Sequence, residues 1–275
     1  IIGGAGHVGT YLVPLLVQAG HQVTNVTRGQ SRPYQPHKAW EKVTQVTLDR
    51  DAPGFGEAIA AGSPEVVIDM ICFTPAQHQA LAASLRGKVT HFIHIGTIWV
   101  HGHPGPSPTR EEDPRQAFGD YGINKSLLED LILAEARRGD LPATVVRPGH
   151  IVGPGWVPLN PLGHFNPQVY RDIAAGRPLC LPNFGLETVH HVHAEDVALT
   201  VMAALTHWTG AVGEAFNAVS PAALKLRHFA EALYAYFGHA PALTFAPFDQ
   251  WAKTQTAEDA QATWEHIARS PCHSV

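Results

Sequence analysis

The chain contains 275 residues, of which 45% are hydrophobic and 16% are charged, with a formal net charge of -5. This composition supports a sizeable folded core and argues against intrinsic disorder. The negative balance argues against a protein built to bind polyanions, because phosphate backbones are held by clustered Lys and Arg. The length suits one large α/β unit, or one domain with a smaller appendage.

Cysteine usage and hydropathy narrow the cellular setting. Cys72, Cys180 and Cys272 are far apart, so we expect neither a disulfide framework nor a thiolate zinc site, and we expect a reducing cytoplasmic location. The sequence has no signal-peptide pattern and no apolar run of about 18 residues, which predicts no membrane association. Because a strand normally precedes a glycine loop, we expect the natural protein to begin several residues before Ile1.

Predicted strands and helices alternate in the first half of the chain. The helices are predicted from Val8 to a stop at Gly20 with a kink at Pro14, from Ala76 to Leu85 and from Tyr121 to Arg138. Gly, Pro and charged residues predict a loop at 102–119. The strands are predicted at 1–2, 21–27, 43–48, 66–71, 91–95 and 143–147.

This alternation predicts an α/β fold with a Rossmann-type doubly wound parallel sheet. Residues 1–148 are predicted to form a dinucleotide-binding domain. After Pro148 the alternation weakens, and Pro and Gly become dense between 153 and 185. Residues 149–275 are therefore expected to form mostly a smaller C-terminal substrate-binding region, with some elements returning to the sheet.

The strongest local motif is the glycine loop, residues 3–9, which lies between a predicted strand and a predicted helix. Gly3 permits the tight turn, Gly6 lets the backbone approach a pyrophosphate, and Gly9 allows close packing of helix on strand. With His7 and Val8 at the start of the helix, the loop is predicted to bind the pyrophosphate of a nicotinamide dinucleotide. The alternative is a tight turn without a ligand.

Residues that follow the next two strands bear on the adenosine half of the cofactor. Strand 21–27 ends at Arg28 and not at an acid, which favours NADP over NAD because Arg accommodates a 2′-phosphate. The alternative is an exposed loop arginine. Asp49, after strand 43–48, is predicted to accept from the adenine amino group, although a capping or solvated Asp is nearly as good an interpretation.

Tyr121 and Lys125 are spaced to share one face of a predicted helix. A phenol ordinarily titrates near pH ~10, which is too high for a useful base at neutral pH. A neighbouring ammonium group favours the phenolate and lowers the pKa of the tyrosine. The pair therefore predicts proton exchange with a carbinol or carbonyl oxygen.

Several ordered motifs make the chain resemble an extended short-chain dehydrogenase/reductase. The resemblance is to the NAD-dependent epimerase/dehydratase family, the relatives of UDP-galactose 4-epimerase, and runs from Ile1 to about residue 237. The glycine loop matches the family's glycine motif, and Tyr121 to Lys125 matches its catalytic pair. The other matching segments are 94–102, 147–155 and 192–198. The match of segment 94–102 places the catalytic hydroxyl on Thr97.

The resemblance implies a role for each matched residue. Tyr121 would be the acid–base group, Lys125 would lower its pKa and bind the nicotinamide ribose, and Thr97 would hydrogen-bond the reacting oxygen. Met70 and Pro148 would contact the cofactor. The resemblance also implies a small-molecule substrate of the sugar-nucleotide type and a homodimer. The hydride chemistry belongs to NAD or NADP.

The sequence departs from the family pattern at three places. Residues 69–73 replace an Asn-Ala-Gly-like turn, His101 stands where Tyr is usual, and Arg28 resembles the NADP-using reductase branch. The leading hypothesis is therefore an epimerase, dehydratase or reductase. No carboxylate accompanies Thr97, which disfavours the dehydratase, and an NADPH-dependent carbonyl reductase remains the alternative.

Two further interpretations are weaker. The 18 histidines include His190, His191 and His193, and a second pair at His101 and His103, but no carboxylate or Cys completes a metal site. We therefore expect no metal. A non-catalytic module, such as the RNA-binding branch of the superfamily, is disfavoured by the Tyr–Lys pair and by the acidic charge.

Overall fold

The computed structural model describes residues 1–103 and 105–274. Pro104 of the predicted loop and Val275 of the predicted C-terminal region lie outside the described residues. The helices are α1 His7–Gln18, α2 Phe55–Ala61, α3 Pro75–Leu85, α4 Gly119–Arg138, α5 Gln168–Ala174, α6 Ala194–Thr206, α7 Trp208–Ala211, α8 Leu226–Tyr236, α9 Phe248–Trp251 and α10 Ala257–Arg269.

The strands are short, as is common when each contributes only its central residues to a parallel sheet. They are β1 Thr24–Thr27, β2 Thr44–Thr47, β3 Val66–Asp69, β4 His91–Ile95, β5 Ala143–Pro148, β6 His150–Val152, β7 Leu179–Pro182, β8 Thr188–Val189, β9 His191–His193, β10 Ala215–Ala218, β11 Leu224–Lys225 and β12 Leu243–Ala246.

The main sheet is parallel, and the first residues of the chain join its two parts. Strands β10, β5, β4 and β3 are hydrogen-bonded in that order, and β1 pairs with β2. Ile2 bridges Val26 of β1 and Asp69 of β3 in parallel fashion. The order of the strands is therefore β2-β1-Ile2-β3-β4-β5-β10. From Ile2 the chain first adds β1 and β2 on one side and then crosses to add β3, β4 and β5 on the other, so the strand order reverses beside Ile2. A Rossmann sheet binds its ligand at such a point.

Apolar residues cover both faces of this sheet. On one face, Leu12 of α1 and Val201 of α6 pack over Ile93. On the other face, Leu81 of α3 and Ile132 of α4 belong to a second cluster. The predicted doubly wound α/β fold is confirmed.

Most predicted elements are present, with shifted ends that have local causes. The strand predicted at 21–27 begins only at Thr24, because the His21 amide still donates to Leu16 O of α1, at 3.0 Å. The run at 66–71 ends as a strand at Asp69, whose carboxylate accepts from the Ile71 amide at 3.2 Å and turns the chain. Helix α1 continues through the buried Pro14.

The C-terminal part holds elements that the sequence pattern did not predict. Three two-stranded pairs, β6–β9, β7–β12 and β8–β11, lie outside the main sheet. A third apolar cluster, which includes Tyr234 and Trp251, packs α8 and α9 around them. Strand β10 returns to the main sheet beside β5. Among the described helices, none is both long and apolar enough to cross a membrane.

Candidate active site

The glycine loop lies at the point where the strand order reverses. Gly3 has φ +83°, a left-handed conformation that favours glycine. A Cβ on Gly9 would overlap the carbonyl oxygen of Gly4, so only glycine lets α1 approach the loop this closely. A Cβ on Gly6 would meet only Gly3 O, at 3.7 Å, so this side of the loop is open.

The first turn of α1 leaves its backbone N–H groups available to an anion. Gly6 is the N-cap residue and has no side chain to cap the helix, and the first turn contains no acidic residue. Free N–H groups at a helix N-terminus favour a bound phosphate. Val8 is buried in the core and anchors this turn. The loop therefore fits the pyrophosphate of a dinucleotide.

A cavity of about 430 Å³ opens beside the loop at the carboxyl ends of β1 and β2. Arg28 and Asp49 both line it. Asp49 also accepts from the Asp51 amide at 3.0 Å, so it caps a turn as well as facing the cavity. Met70 does not line this cavity: its amide donates to Ile2 O, and its side chain packs in the core. Ile71 takes its place on the wall.

Sequence reasoning missed an ion pair at the edge of this cavity. Arg50 Nη1 lies 2.7 Å from Asp69 Oδ1, and both side chains are buried. Asp69 occupies part of the segment that departs from the family pattern. The Asp69 carboxylate accepts hydrogen bonds from Arg50 and from the Ile71 amide, which gives an acid at this position a structural role.

A larger cavity, about 550 Å³, lies at the opposite edge of the sheet, away from the glycine loop.

Tyr121 and Thr97 lie near each other beyond the carboxyl end of β4, and the Phe73 ring, which lines the cavity beside the glycine loop, is 6.4 Å from the Tyr121 ring. We call the surface from that cavity to Tyr121 the cleft. Thr97 ends the segment after β4, is buried, and accepts from the Trp99 amide at 3.2 Å. Burial raises the pKa of Tyr121 above its usual range, while the neighbouring Thr97 hydroxyl and the charge of Arg269 oppose this rise. Tyr121 is still 41% exposed, which leaves it accessible to a substrate.

Lys125 is buried, and backbone oxygens hold its ammonium group. Its Nζ donates to Cys72 O at 2.8 Å and to Ile95 O at 3.0 Å, and it lies 3.3 Å from His94 Nε2. The ammonium group thus ties the carboxyl ends of β3 and β4 together. Burial lowers the pKa of Lys125 to about 8. The cation that lowers the pKa of Tyr121 in this structure is Arg269.

Aromatic side chains from distant parts of the sequence surround Tyr121. The Trp99 ring meets Tyr121 edge to face at 5.6 Å. His266 of α10 packs against Trp99 at 5.1 Å and against His150 at 5.0 Å. Burial lowers the pKa of His266 to about 4, so it is neutral at pH 7. The sequence carried no signal for these contacts, because they join α10 to a loop far away in the chain.

A second aromatic cluster lies beside the glycine loop. The His7 ring stacks on Trp156 at 3.9 Å, and Tyr34 lies 4.8 Å from both rings. Gln35 Nε2 donates to Pro154 O at 3.4 Å in the same contact. This aromatic clamp, His7, Tyr34 and Trp156, connects the loop after β1 with the segment after β6.

Pro148, His190 and His191, which the sequence also singled out, make contacts that support the fold. Pro148 is the buried last residue of β5 and pairs with Ala218. His190 Nε2 lies 2.7 Å from Ser220 O, and His191 Nε2 lies 3.2 Å from Leu159 O. Within residues 1–103 and 105–274, no three His, Cys, Asp or Glu side chains form a group that could hold a metal ion.

The fold and this site place the chain in a known family. The model of the NAD dependent epimerase/dehydratase family matches residues 1–218. The chain therefore belongs to the NAD-dependent epimerase/dehydratase family, the extended short-chain dehydrogenases/reductases. It is an NAD(P)-dependent enzyme of the epimerase and oxidoreductase type.

Individual relatives are distant. The chain is 27% identical to 2'-dehydrokanamycin reductase of Streptomyces kanamyceticus, over 97% of this chain and 75% of the relative. It is 27% identical to the chloroplast stem-loop binding protein of 41 kDa b of Arabidopsis thaliana, over 72% of this chain, and it spans about half of that relative (52%).

Among solved structures, UDP-glucose 4-epimerase from Thermotoga maritima with UDP-glucose has a TM-score of 0.72 and 19% identity. The match covers 90% of this chain and 84% of that one. At this identity the likeness shows the fold alone.

Proposed function

We propose that the protein transfers a hydride between a nicotinamide cofactor and a carbinol or carbonyl carbon of a sugar nucleotide or related substrate. The observation that carries this proposal is the meeting of Tyr121 and Thr97 at the carboxyl edge of the sheet, in the cleft that the glycine loop opens. The bound cofactor supplies the hydride acceptor or donor. Tyr121 moves the proton at the reacting oxygen, and Thr97 orients that oxygen.

The substrate class rests on relatives, and the sequence around Thr97 adds one constraint. Gly96, Ile98 and Trp99 flank Thr97 in the sequence, so no acidic residue adjoins it there to assist the elimination of water. Reversible hydride transfer, as in an epimerase or a reductase, therefore fits better than dehydration. The three free cysteines fit a reducing compartment, the cytoplasm.

The substitution Tyr121→Phe tests this mechanism. We expect it to lower turnover of the substrate by about 10²- to 10⁴-fold, because the proton donor is lost, while the cofactor dissociation constant stays unchanged. The assay would first identify the nucleotide that co-purifies and then follow it with a panel of sugar nucleotides and sugar ketones. Tyr236→Phe is the matched control, since Tyr236 is 81% exposed. Undiminished turnover by Tyr121→Phe would refute the mechanism.

A reductase that releases NADP is the second candidate. Arg28 lines the adenosine cavity, and the similarity to 2'-dehydrokanamycin reductase covers nearly the whole chain. An epimerase must return the hydride and so keeps its cofactor, whereas a reductase exchanges it. Cofactor retained after purification supports the epimerase, and multiple turnovers of added NADPH support the reductase.

The NADP preference has its own test in Arg28→Ala. Loss of a charge-assisted contact to the 2′-phosphate costs about 1.5–3 kcal/mol, which raises the NADPH dissociation constant by about 10- to 100-fold. The NADH dissociation constant should not change. Arg32→Ala is the control, because Arg32 lies on the same loop but does not line the cavity. Equal effects on NADPH and NADH would show that Arg28 does not select NADP.

A further inference from the structure

The ammonium group of Lys125 lies in a buried site that satisfies all of its N–H groups. Lys125 is only 2% exposed. Its Nζ has three acceptors, which are Cys72 O at 2.8 Å, Ile95 O at 3.0 Å and His94 Nε2 at 3.3 Å. An ammonium group has three donors and no acceptor, so these contacts account for its whole hydrogen-bonding capacity.

His94, in β4, is the one side chain among these three acceptors, and it is fully buried. Since Lys125 can only donate, His94 Nε2 has to accept, and the imidazole proton has to be on Nδ1. A doubly protonated imidazole could not accept, so His94 is neutral in this contact. Burial, and then the charge of Lys125, lower the pKa of His94 well below its usual value, which agrees with a neutral ring.

The charge of Lys125 is held without an acid partner. No carboxylate in the part of the chain that the structure describes forms an ion pair with it. Burial lowers the pKa of Lys125 to about 8. Besides His94, the titratable groups that face it are two acids, a thiol and an arginine, namely Asp69, Glu129, Cys72 and Arg50. The ammonium form therefore has only a small margin at neutral pH.

The same ammonium group borders the cleft. The centre of the Phe73 ring lies 5.2 Å from Lys125 Nζ and 6.4 Å from the centre of the Tyr121 ring, and Phe73 lines the cavity beside the glycine loop. Lys125 follows Tyr121 by one turn of α4. A contact that fixes Nζ therefore also fixes where this charge stands relative to the cleft.

We propose that His94 is a positioning residue of the active site, whose neutral imidazole holds Lys125 at the carboxyl ends of β3 and β4 and keeps it in the ammonium form. Hydrogen bonds from a charged donor are stronger than those from a neutral amine, so an uncharged acceptor favours the ammonium group. His94 acts through Lys125. The inference rests on the proposed function and on the family resemblance, which gives the charged Lys125 a part in that reaction.

The charge of Lys125 can be measured without a substrate. Lysine labelled with ¹³C at Cε reports the ionisation of the amine, and the Lys125 signal is assigned by its loss in Lys125→Met. Every other lysine is exposed. We expect a wild-type midpoint at about pH 8. In His94→Phe, which keeps a buried ring but removes the acceptor, the midpoint should fall by about one pH unit, a tenfold change in the ratio of ammonium to amine.

Two further variants separate the hydrogen bond from packing. His94→Gln returns an acceptor oxygen and should bring the Lys125 midpoint back toward that of wild type. His91→Phe is the matched control, because it replaces another buried histidine of β4, one that hydrogen-bonds Thr144 Oγ1 at 2.8 Å. It should lower stability but leave the Lys125 midpoint unchanged.

The tautomer of His94 gives a test on the unaltered protein. Two-bond ¹H–¹⁵N correlation spectra distinguish a protonated from an unprotonated Nε2, and the His94 signals are assigned by their loss in His94→Gln. We expect an unprotonated Nε2 at pH 7, because it accepts from Lys125. A protonated Nε2 would overturn the proposal even when His94→Phe does not fold.

Three other results would also overturn it. One is a Lys125 midpoint in His94→Phe equal to that of wild type. Another is an equal shift in His94→Phe and His94→Gln, which would show an effect of packing alone. The third is an unchanged alkaline limb of the pH–rate profile in His94→Phe despite a shifted Lys125 midpoint, since the charge would then play no part in turnover. Absence of hydride transfer together with the expected Lys125 and His94 spectra would instead count against the proposed function alone.

Discussion

The two ends of the cleft are built in opposite ways. The end beside the glycine loop is open and polar, with the exposed side chains of Arg28 and Asp49 around the cavity. The tyrosine end is closed by rings, with Trp99 and His266 beside Tyr121 and the buried Arg269 behind them. Charges at the open end are screened by water, whereas a charge at the closed end acts through a medium of lower dielectric constant.

This contrast suggests that the open end governs nucleotide binding and that the closed end governs the chemical step. At the open end, several exposed polar groups can share the recognition of a charged nucleotide, and the loss of one weakens binding by a moderate factor. At the closed end, a charge is screened less by water, so we expect its loss to change the ionisation of neighbouring groups more strongly. Substitutions at the two ends should therefore differ in kind, since one set alters affinity and the other alters pH dependence.

The largest expected effect is acid destabilisation, to which His266 of the closed end contributes together with three other buried histidines. Burial lowers the pKa of His91, His101 and His266 to about 4 and that of His273 to about 3. These histidines are neutral when folded and take up protons when unfolded. Stability is therefore complete above the ordinary value of 6.5 and falls as the pH drops toward the folded values.

Each such histidine removes about 1.4 kcal/mol of unfolding free energy per pH unit within that window. Urea unfolding at several pH values between about 7 and 4 measures the slope. His266→Gln should reduce the slope by about one proton, and the exposed His228→Gln should leave it unchanged. Unfolding free energy that is flat over this range would contradict the buried neutral state of these histidines.

The next effect concerns the open end and compares two glycines of one loop. Gly9→Ala forces a methyl group onto the Gly4 carbonyl oxygen, which we expect to cost about 3 kcal/mol and to abolish cofactor binding. Gly6→Ala meets only one atom, at 3.7 Å, so the fold should persist while NADPH binding weakens by at least about tenfold. Urea unfolding and NADPH fluorescence titration measure the two effects. Equal stability of the two variants would show that Gly9 does not set the helix position.

The open end could be predicted from sequence because its signals are local. The glycine loop, Arg28 and Asp49 each follow a strand whose apolar run is visible in the sequence, and parallel strands bring their carboxyl ends to one edge. Tyr121 was found by its helical spacing to Lys125. That spacing could not reveal that Lys125 Nζ donates to the backbone oxygens of Cys72 and Ile95.

The closed end could not be predicted because its contacts are long-range. Arg269 and Phe118 are 151 positions apart, and nothing in either local sequence marks the contact. Four of the C-terminal strands, β6, β8, β9 and β11, have only two or three residues, too few for a periodic pattern. The ion pair of Arg50 with Asp69 depends likewise on two strand ends that only the fold brings together.

The smallest expected effect lies in the aromatic clamp, which connects the glycine loop to the C-terminal segment. Trp156 stacks on His7 at the start of α1, so Trp156→Leu should loosen the loop and raise the NADPH dissociation constant about 3- to 10-fold, mainly through faster release. Stopped-flow fluorescence measures the release rate. Trp264→Leu is the matched control, because Trp264 is 49% exposed and packs on Phe248 of α9 instead. A release rate in Trp156→Leu equal to that of wild type would contradict this prediction. It would mean that the open end holds its nucleotide without help from the C-terminal region.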